Sequence, residues 1–401
     1  MPGRHVWSKA WGDMRSGRWF AAFSSATLVA GLPAAAAGTG ASHVLITKAL
    51  KSTPERLATL TMPPGFHIAV WAENLGQPRV VAVAPNGNVY ISDTHAGTIM
   101  LLRGGEVATF KNLVRKKKDV IGLAVYKNHL YYATAREIFA SPIGTDGGLG
   151  PERLIAKNLP PTGELNDRTI AFGPDGWLYE SVGSNCNDCQ ETTSESATIV
   201  RMRPDGTRRE VFASGLRNTI GFAWQPGADE LYGWDNGVDG RGDNDQPEEL
   251  NRIERGRNYG WPYVLGNGEL NHSRTPPHGT LEDWDRNSVR PALIYTAHSA
   301  SMQMLFYTGS QFPHEYRGDA FATMHGSWNR DPPSGYEIVR VHFRGGRPVS
   351  VRPFVTGFLA HTGTRSWARF ARPFGLAQMP DGSLLMGDDQ NGILYRITYS
   401  P

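Results

Sequence analysis

Residues 170–183 read IAFGPDGWLYESVG. On either side of Pro174-Asp175-Gly176 the apolar residues alternate with a period of two, the spacing of a half-buried strand and not of a helix. Asp-Gly supplies the positive φ that a tight hairpin turn needs. The same pattern of apolar strand, Pro/Asn/Asp-Gly turn and aromatic-bearing second strand returns along the chain. It reads VAVAPNGNVYISD from Val81, GLAVYKNHLYYATA from Gly122 and GFAWQPGADELYGWDNG from Gly221. It reads QMLFYTGSQFPHEYRGDAFATMHGS from Gln303 and GLAQMPDGSLLMGDD from Gly375. Six copies at intervals of roughly 40 to 80 residues fit propeller blades that carry insertions. One hairpin cannot bury both of its faces, whereas radial stacking of four-stranded sheets can, and leaves only short protected edges. The predicted fold is all-β, a six-bladed β-propeller over residues 61–401, with no good amphipathic helix. A pair of β-sandwiches accounts for the spacing less well.

The composition agrees. The 401 residues include 46 Gly, 27 Pro and 11 Trp, with 40% hydrophobic and 10% aromatic residues, too apolar for a disordered chain. Lys and Arg number 41 against 38 Asp and Glu, so there is no electrostatic footprint for nucleic acid. Residues 1–37 read as a secretory signal peptide: Arg4, Lys9, Arg15 and Arg18 against Asp13, then the apolar WFAAFSSATLVAGL, then Ala34 to Ala37. Those four bases and one acid carry the whole formal charge of +3. The apolar run is shorter than the roughly 20 residues that span a bilayer, and no later stretch is long and apolar enough. The expectation is a periplasmic or secreted protein, with residues 38–60 as a linker.

Several clusters could carry chemistry. Cys186 and Cys189 form a CxxC followed by Gln190, which excludes c-type haem attachment and, in an exported chain, favours a local structural disulfide. Arg217 and Asn218 stand just before an inner strand, where they would face the channel, or they are a surface Arg and a turn Asn. The loop from Asp235 holds Asn236, Gly237, Asp239, Asp243, Asp245, Glu248 and Glu249. Its hard oxygens suit Ca²⁺ although the spacing is not that of an EF-hand; a solvated acidic loop is the plain alternative. His298, His325, Trp328, Arg330 and Arg372 recur at strand ends in Gly- and Pro-rich insertions and favour a polar pocket. The serine-hydrolase elbow, the P-loop and a GxGxxG between strand and helix are missing.

The runs RTIAFGPDGWLYESVGSNCNDC, GLRNTIGFAWQP, PEELNRIERGRNYGWPYV and FYTGSQFPHEYRGDAFATMHGSWNR, with DNGVDG, resemble the sorbosone dehydrogenase branch of the soluble quinoprotein sugar dehydrogenases. The likeness covers about residues 60 to 399. It implies a six-bladed propeller that oxidises an aldose or related sugar with pyrroloquinoline quinone and Ca²⁺, passing electrons to an acceptor that the sequence does not identify. By motif, Arg217, Asn218 and Arg372 match residues that contact the quinone. The backbone carbonyls of the Asp235-Asn236-Gly237 loop match those that hold calcium. His325 and Arg330 fall where related glucose enzymes place a quinone-contacting lysine.

Two departures stand out. Leu165, in GELNDRTIAFGPDG, occupies the place of the family's general-base histidine. Glu164, Asp167, His298 or His325 would have to serve instead. Phe374 stands where the glucose enzymes carry another arginine. Three functions compete on these grounds: a quinone-dependent sugar dehydrogenase, a sugar- or quinone-binding propeller without turnover, and a calcium-dependent lactonase-like propeller.

Overall fold

The computed structural model describes residues 40–161, 163–364 and 366–401. The predicted signal peptide lies outside them. The described residues form six four-stranded antiparallel sheets, each running inside to outside in chain order from the strands quoted above. The first contains Pro78–Val83, Val89–Asp93, Thr98–Gly104 and Ala108–Lys116. The inner strands of the next five are Val120–Tyr126, Ile170–Phe172, Thr219–Trp224, Ser301–Phe306 and Pro373–Gln378. The last sheet is completed by the early strand Phe66–Ala72, which pairs with Ile393–Tyr399 and so ties the two ends of the ring together. This is a β-propeller.

Small residues and one amide set how closely the inner strands meet. An added Cβ at Gly122 would stand 2.0 Å from the Arg168 carbonyl, at Gly221 1.9 Å from that of Met302, and at Gly375 2.6 Å from that of Arg79. These are the leading glycines of three of the six repeats, and here glycine is required for backbone approach rather than for a turn. Across the ring, the Gln303 side chain donates to the Val81 carbonyl and its oxygen accepts from the Val81 and Leu376 amides. One amide thus ties the inner strands of the fifth, sixth and first sheets together.

Between the sheets the core is aromatic. Phe66 meets Phe312, Tyr316, Phe354 and Tyr399 edge to face with centroids 4.7–5.0 Å apart. The insertions hold little regular structure. One short helix, Leu281–Asn287, starts on a Thr280/Asp283 capping box. The segment after residue 40 lies against the loops: the Leu45 amide donates to the Trp328 carbonyl, and Lys48–Ala49 pairs with Ala368–Arg369. Among the described residues no helix is long and apolar enough to cross a membrane.

Candidate functional site

A repeated device shapes the end of the ring where the inner strands begin. Three second strands end in a buried aspartate, Asp93, Asp235 and Asp388. Each accepts from backbone amides that lead into the inner strand of its own sheet. Asp93 holds the Gln77 amide, Asp235 holds those of Arg217 and Asn218, and Asp388 holds that of Arg372. Thr219 adds its hydroxyl to Asp235 at 2.8 Å. Asp235, expected among the metal ligands, thus has its carboxylate committed to the backbone, and burial pushes it up to about 6. The residue after each aspartate, such as Asn236 or Asp389, follows directly at this end of the ring, its mouth.

Arg217 is at this mouth and buried, but its guanidinium serves loop oxygens. Nη1 donates to the carbonyls of Asn236 (3.0 Å) and Gly237 (2.7 Å). Nε donates to the Asn187 carbonyl and Nη2 to Asn187 Oδ1. The expected quinone contact and the expected calcium loop are therefore bonded to each other. Asn218 is different. Neither atom of its side-chain amide has a hydrogen-bond partner among the described residues. Its Oδ1 flanks Gly183 together with Leu165, which is buried.

The sixth and fifth sheets bring a second group together. His325 Nε2 lies 3.0 Å from both oxygens of Asp389. An ionised carboxylate only accepts, so Nε2 carries the proton and Nδ1 the lone pair. Nδ1 has no partner among the described residues. Burial, with Arg372 next, lowers His325 to about 4 against the pull of Asp389. Burial by itself would raise Asp389, but His325, Arg79 and Arg372 overturn that and hold it well below the usual range. Arg79 donates to Asp389 at 2.8 Å, reaches Asp167 at 3.5 Å, and lies 3.7 Å over the Phe374 ring. Arg372 is buried, with Nε and Nη2 near the carbonyls of His325 and Gly326, and burial lowers it to about 10.

Three expected site residues are turned to other work. Both ring nitrogens of His298 are engaged, Nε2 with the Gly242 carbonyl and Nδ1 with the Asn329 amide, so it has no lone pair to offer. Arg330 donates to the Asp243 and Pro332 carbonyls and to Asn244 Oδ1. Glu164 is exposed and accepts from the Asn187 amide. Sequence reasoning missed Arg79, Asp389 and Asn187. Asp389 was legible by superposing repeats, since it follows its aspartate as Asn236 does; Arg79, inside the inner strand Pro78–Val83, corresponds to Ile220 and had no such signal.

Cys186 and Cys189 are disulfide-bonded. Between them Asn187 accepts from Arg217 twice and exchanges two hydrogen bonds with the Asp239 backbone. Replacing both cysteines by serine is expected to lower global stability by less than about 3 kcal/mol, because so short a loop constrains the unfolded chain little. Urea denaturation under non-reducing conditions checks this, and a larger loss contradicts it.

Residues 60–400 match the TrAA12-like family profile. An uncharacterised protein of Borreliella burgdorferi is 28% identical over 88% of this chain and 95% of its own length. Among solved structures, the calcium structure of a Trichoderma reesei protein of Carbohydrate-Active Enzymes Family AA12 superposes with a TM-score of 0.73 at 20% identity, covering 85% of this chain and 97% of that one. The holo form of the PQQ domain of pyranose dehydrogenase from Coprinopsis cinerea gives 0.71 at 19% identity, over 85% and 97%. The match over residues 60–400, which take in all six sheets, places the chain in the TrAA12-like family.

Proposed function

We propose that the protein is an exported sugar dehydrogenase of the sorbosone dehydrogenase type that uses pyrroloquinoline quinone and Ca²⁺, with His325 as the proton acceptor. One observation carries the reading: at the mouth of the ring a buried histidine is held in a single tautomer by Asp389, with its other nitrogen left as a base.

The residues fit the cofactors. The quinone is a flat tricarboxylate, and Arg79 and Arg372 supply cations and Asn218 an uncommitted amide. For the metal, the carbonyls of Asn236 and Gly237 already converge on one cationic nitrogen, that of Arg217. These two oxygens are of the hard type that Ca²⁺ takes. When bound, the quinone supplies the two-electron acceptor for a hydride from the sugar carbon. His325 Nδ1 receives the proton of the hydroxyl on that carbon, and Asp389 stabilises the imidazolium that results. Arg79, paired to Asp389 and Asp167, fixes the orientation of the dyad. The electrons then leave to an acceptor of unassigned identity, in the periplasm or outside the cell.

A second reading, ligand binding without turnover, draws on Leu165, whose apolar side chain sits beside Asn218 where it offers no base. Reconstitution of the mature protein with quinone and Ca²⁺, followed by dye reduction over a sugar panel, separates the two. Quinone-dependent dye reduction supports the proposal. Binding without reduction supports the second reading, and lactone hydrolysis with metal and no quinone overturns both.

A further inference from the structure

We propose that Arg217 is a built-in plug: its guanidinium and a divalent cation are alternative occupants of the Asn236 and Gly237 carbonyls. The inference rests on the reading that this loop takes the metal, and adds what controls entry.

The two carbonyls accept from the same nitrogen, at 3.0 and 2.7 Å, so their lone pairs converge on one point that a positive charge already holds. A calcium ion there would need both oxygens at 2.3–2.6 Å, and Nη1 and the ion cannot share the position. Like charges at such range repel strongly in a buried site. The remaining donors of Arg217 face the other way, Nε and Nη2 both resting on Asn187 in the disulfide-bonded loop. Its own backbone amide is fixed by Asp235 at 2.9 Å. To free the carbonyls the planar guanidinium has to tilt or withdraw as a unit, with Asn187 as the pivot it rests on. The Gly237 backbone cannot retreat to make room, because an added Cβ there would lie 2.4 Å from the Gln246 carbonyl, so the loop is packed from behind. Exchange thus takes place by side-chain movement of one residue. The metal-free protein is self-satisfied, and metal affinity is reduced by the cost of displacing the plug.

The test is calorimetric titration of the quinone-free mature protein with CaCl₂. Arg217→Met keeps the side chain's length and removes its charge and donors. It is expected to bind Ca²⁺ at least tenfold more tightly than the wild type, with Arg217→Lys between. A wild type that binds Ca²⁺ in the presence of quinone, with no gain in Arg217→Met, overturns the plug alone. Absence of Ca²⁺ binding in every form, with and without quinone, overturns the metal loop as well. Should Arg217→Met fail to fold, the guanidinium nitrogen resonances of Arg217 in the wild type decide: saturating Ca²⁺ with quinone should shift Nη1, and an unmoved signal overturns the plug.

Discussion

His325→Ala is expected to lower sugar-dependent dye reduction by about 10²–10⁴-fold, the ordinary worth of a positioned general base. Quinone affinity should change far less, because the cations and the amide remain. The pH profile carries the sign. The base works in its neutral form, and His325 is lowered to about 4 by burial and by Arg372. Turnover should therefore be flat on its acid side down to about pH 5 and fall as pH drops through about 4. An unshifted histidine would instead give a limb near 6.5. The same shift acts on stability: between about pH 4 and 6.5 the unfolded chain binds the proton and the folded one does not, so this group's contribution weakens as pH falls across that window. Asp389→Asn should lower kcat more than it raises KM, because the amide can present either an acceptor or a donor to Nε2 and no longer fixes the tautomer. Leu165→His should give little. If His325→Ala keeps full rate while Leu165→His raises it, the base does not lie in the fifth sheet.

How much of this was legible follows from what each signal encodes. The repeat of turn and alternating strand is local, and each copy reappears as the first two strands of a sheet. The disulfide was legible because the chain has only two cysteines, three positions apart. Side-chain commitment was not. Whether the guanidinium of Arg217 or Arg330 faces a ligand or backbone carbonyls depends on loops about thirty to ninety residues away in sequence, Asn187 and Asp243 among them. Asp235 looked like a ligand by type. Only its equivalence to Asp93 and Asp388, each binding the backbone of its own blade, reveals the structural role. Arg79 escaped notice because its partner Asp389 lies at the far end of the chain and the two meet only when the ring closes.

Arg168→Met is expected to destabilise the protein by about 3–5 kcal/mol, the cost of breaking a buried ion pair from one side. Arg168 and Glu180 are 1% and 0% exposed, with Nε and Oε1 3.6 Å apart. That is too long for a hydrogen bond, and neither Glu180 oxygen has a partner among the described residues. Burial pushes Glu180 up to about 7 in spite of Arg168. A carboxyl whose folded value exceeds its unfolded value of about 4.3 binds more protons folded than unfolded, so its contribution is complete at low pH and is lost as pH rises through about 7. Urea denaturation at pH 5 and pH 8 should show the wild type weaker at the higher value by this route, and Glu180→Gln should flatten the difference. An unaltered pH dependence in Glu180→Gln would sink the argument. Replacing both residues, Arg168→Met with Glu180→Leu, should recover much of the loss, since a buried pair is often replaceable by apolar packing. Activity need not recover with stability. Arg168 anchors the entry to the third inner strand, Nη2 holding the Pro160 carbonyl and its own carbonyl lying against Gly122, and the adjoining Asp167 is the carboxylate that Arg79 reaches. A double variant that folds well but turns over slowly would place the retained charge pair in the service of the site's geometry.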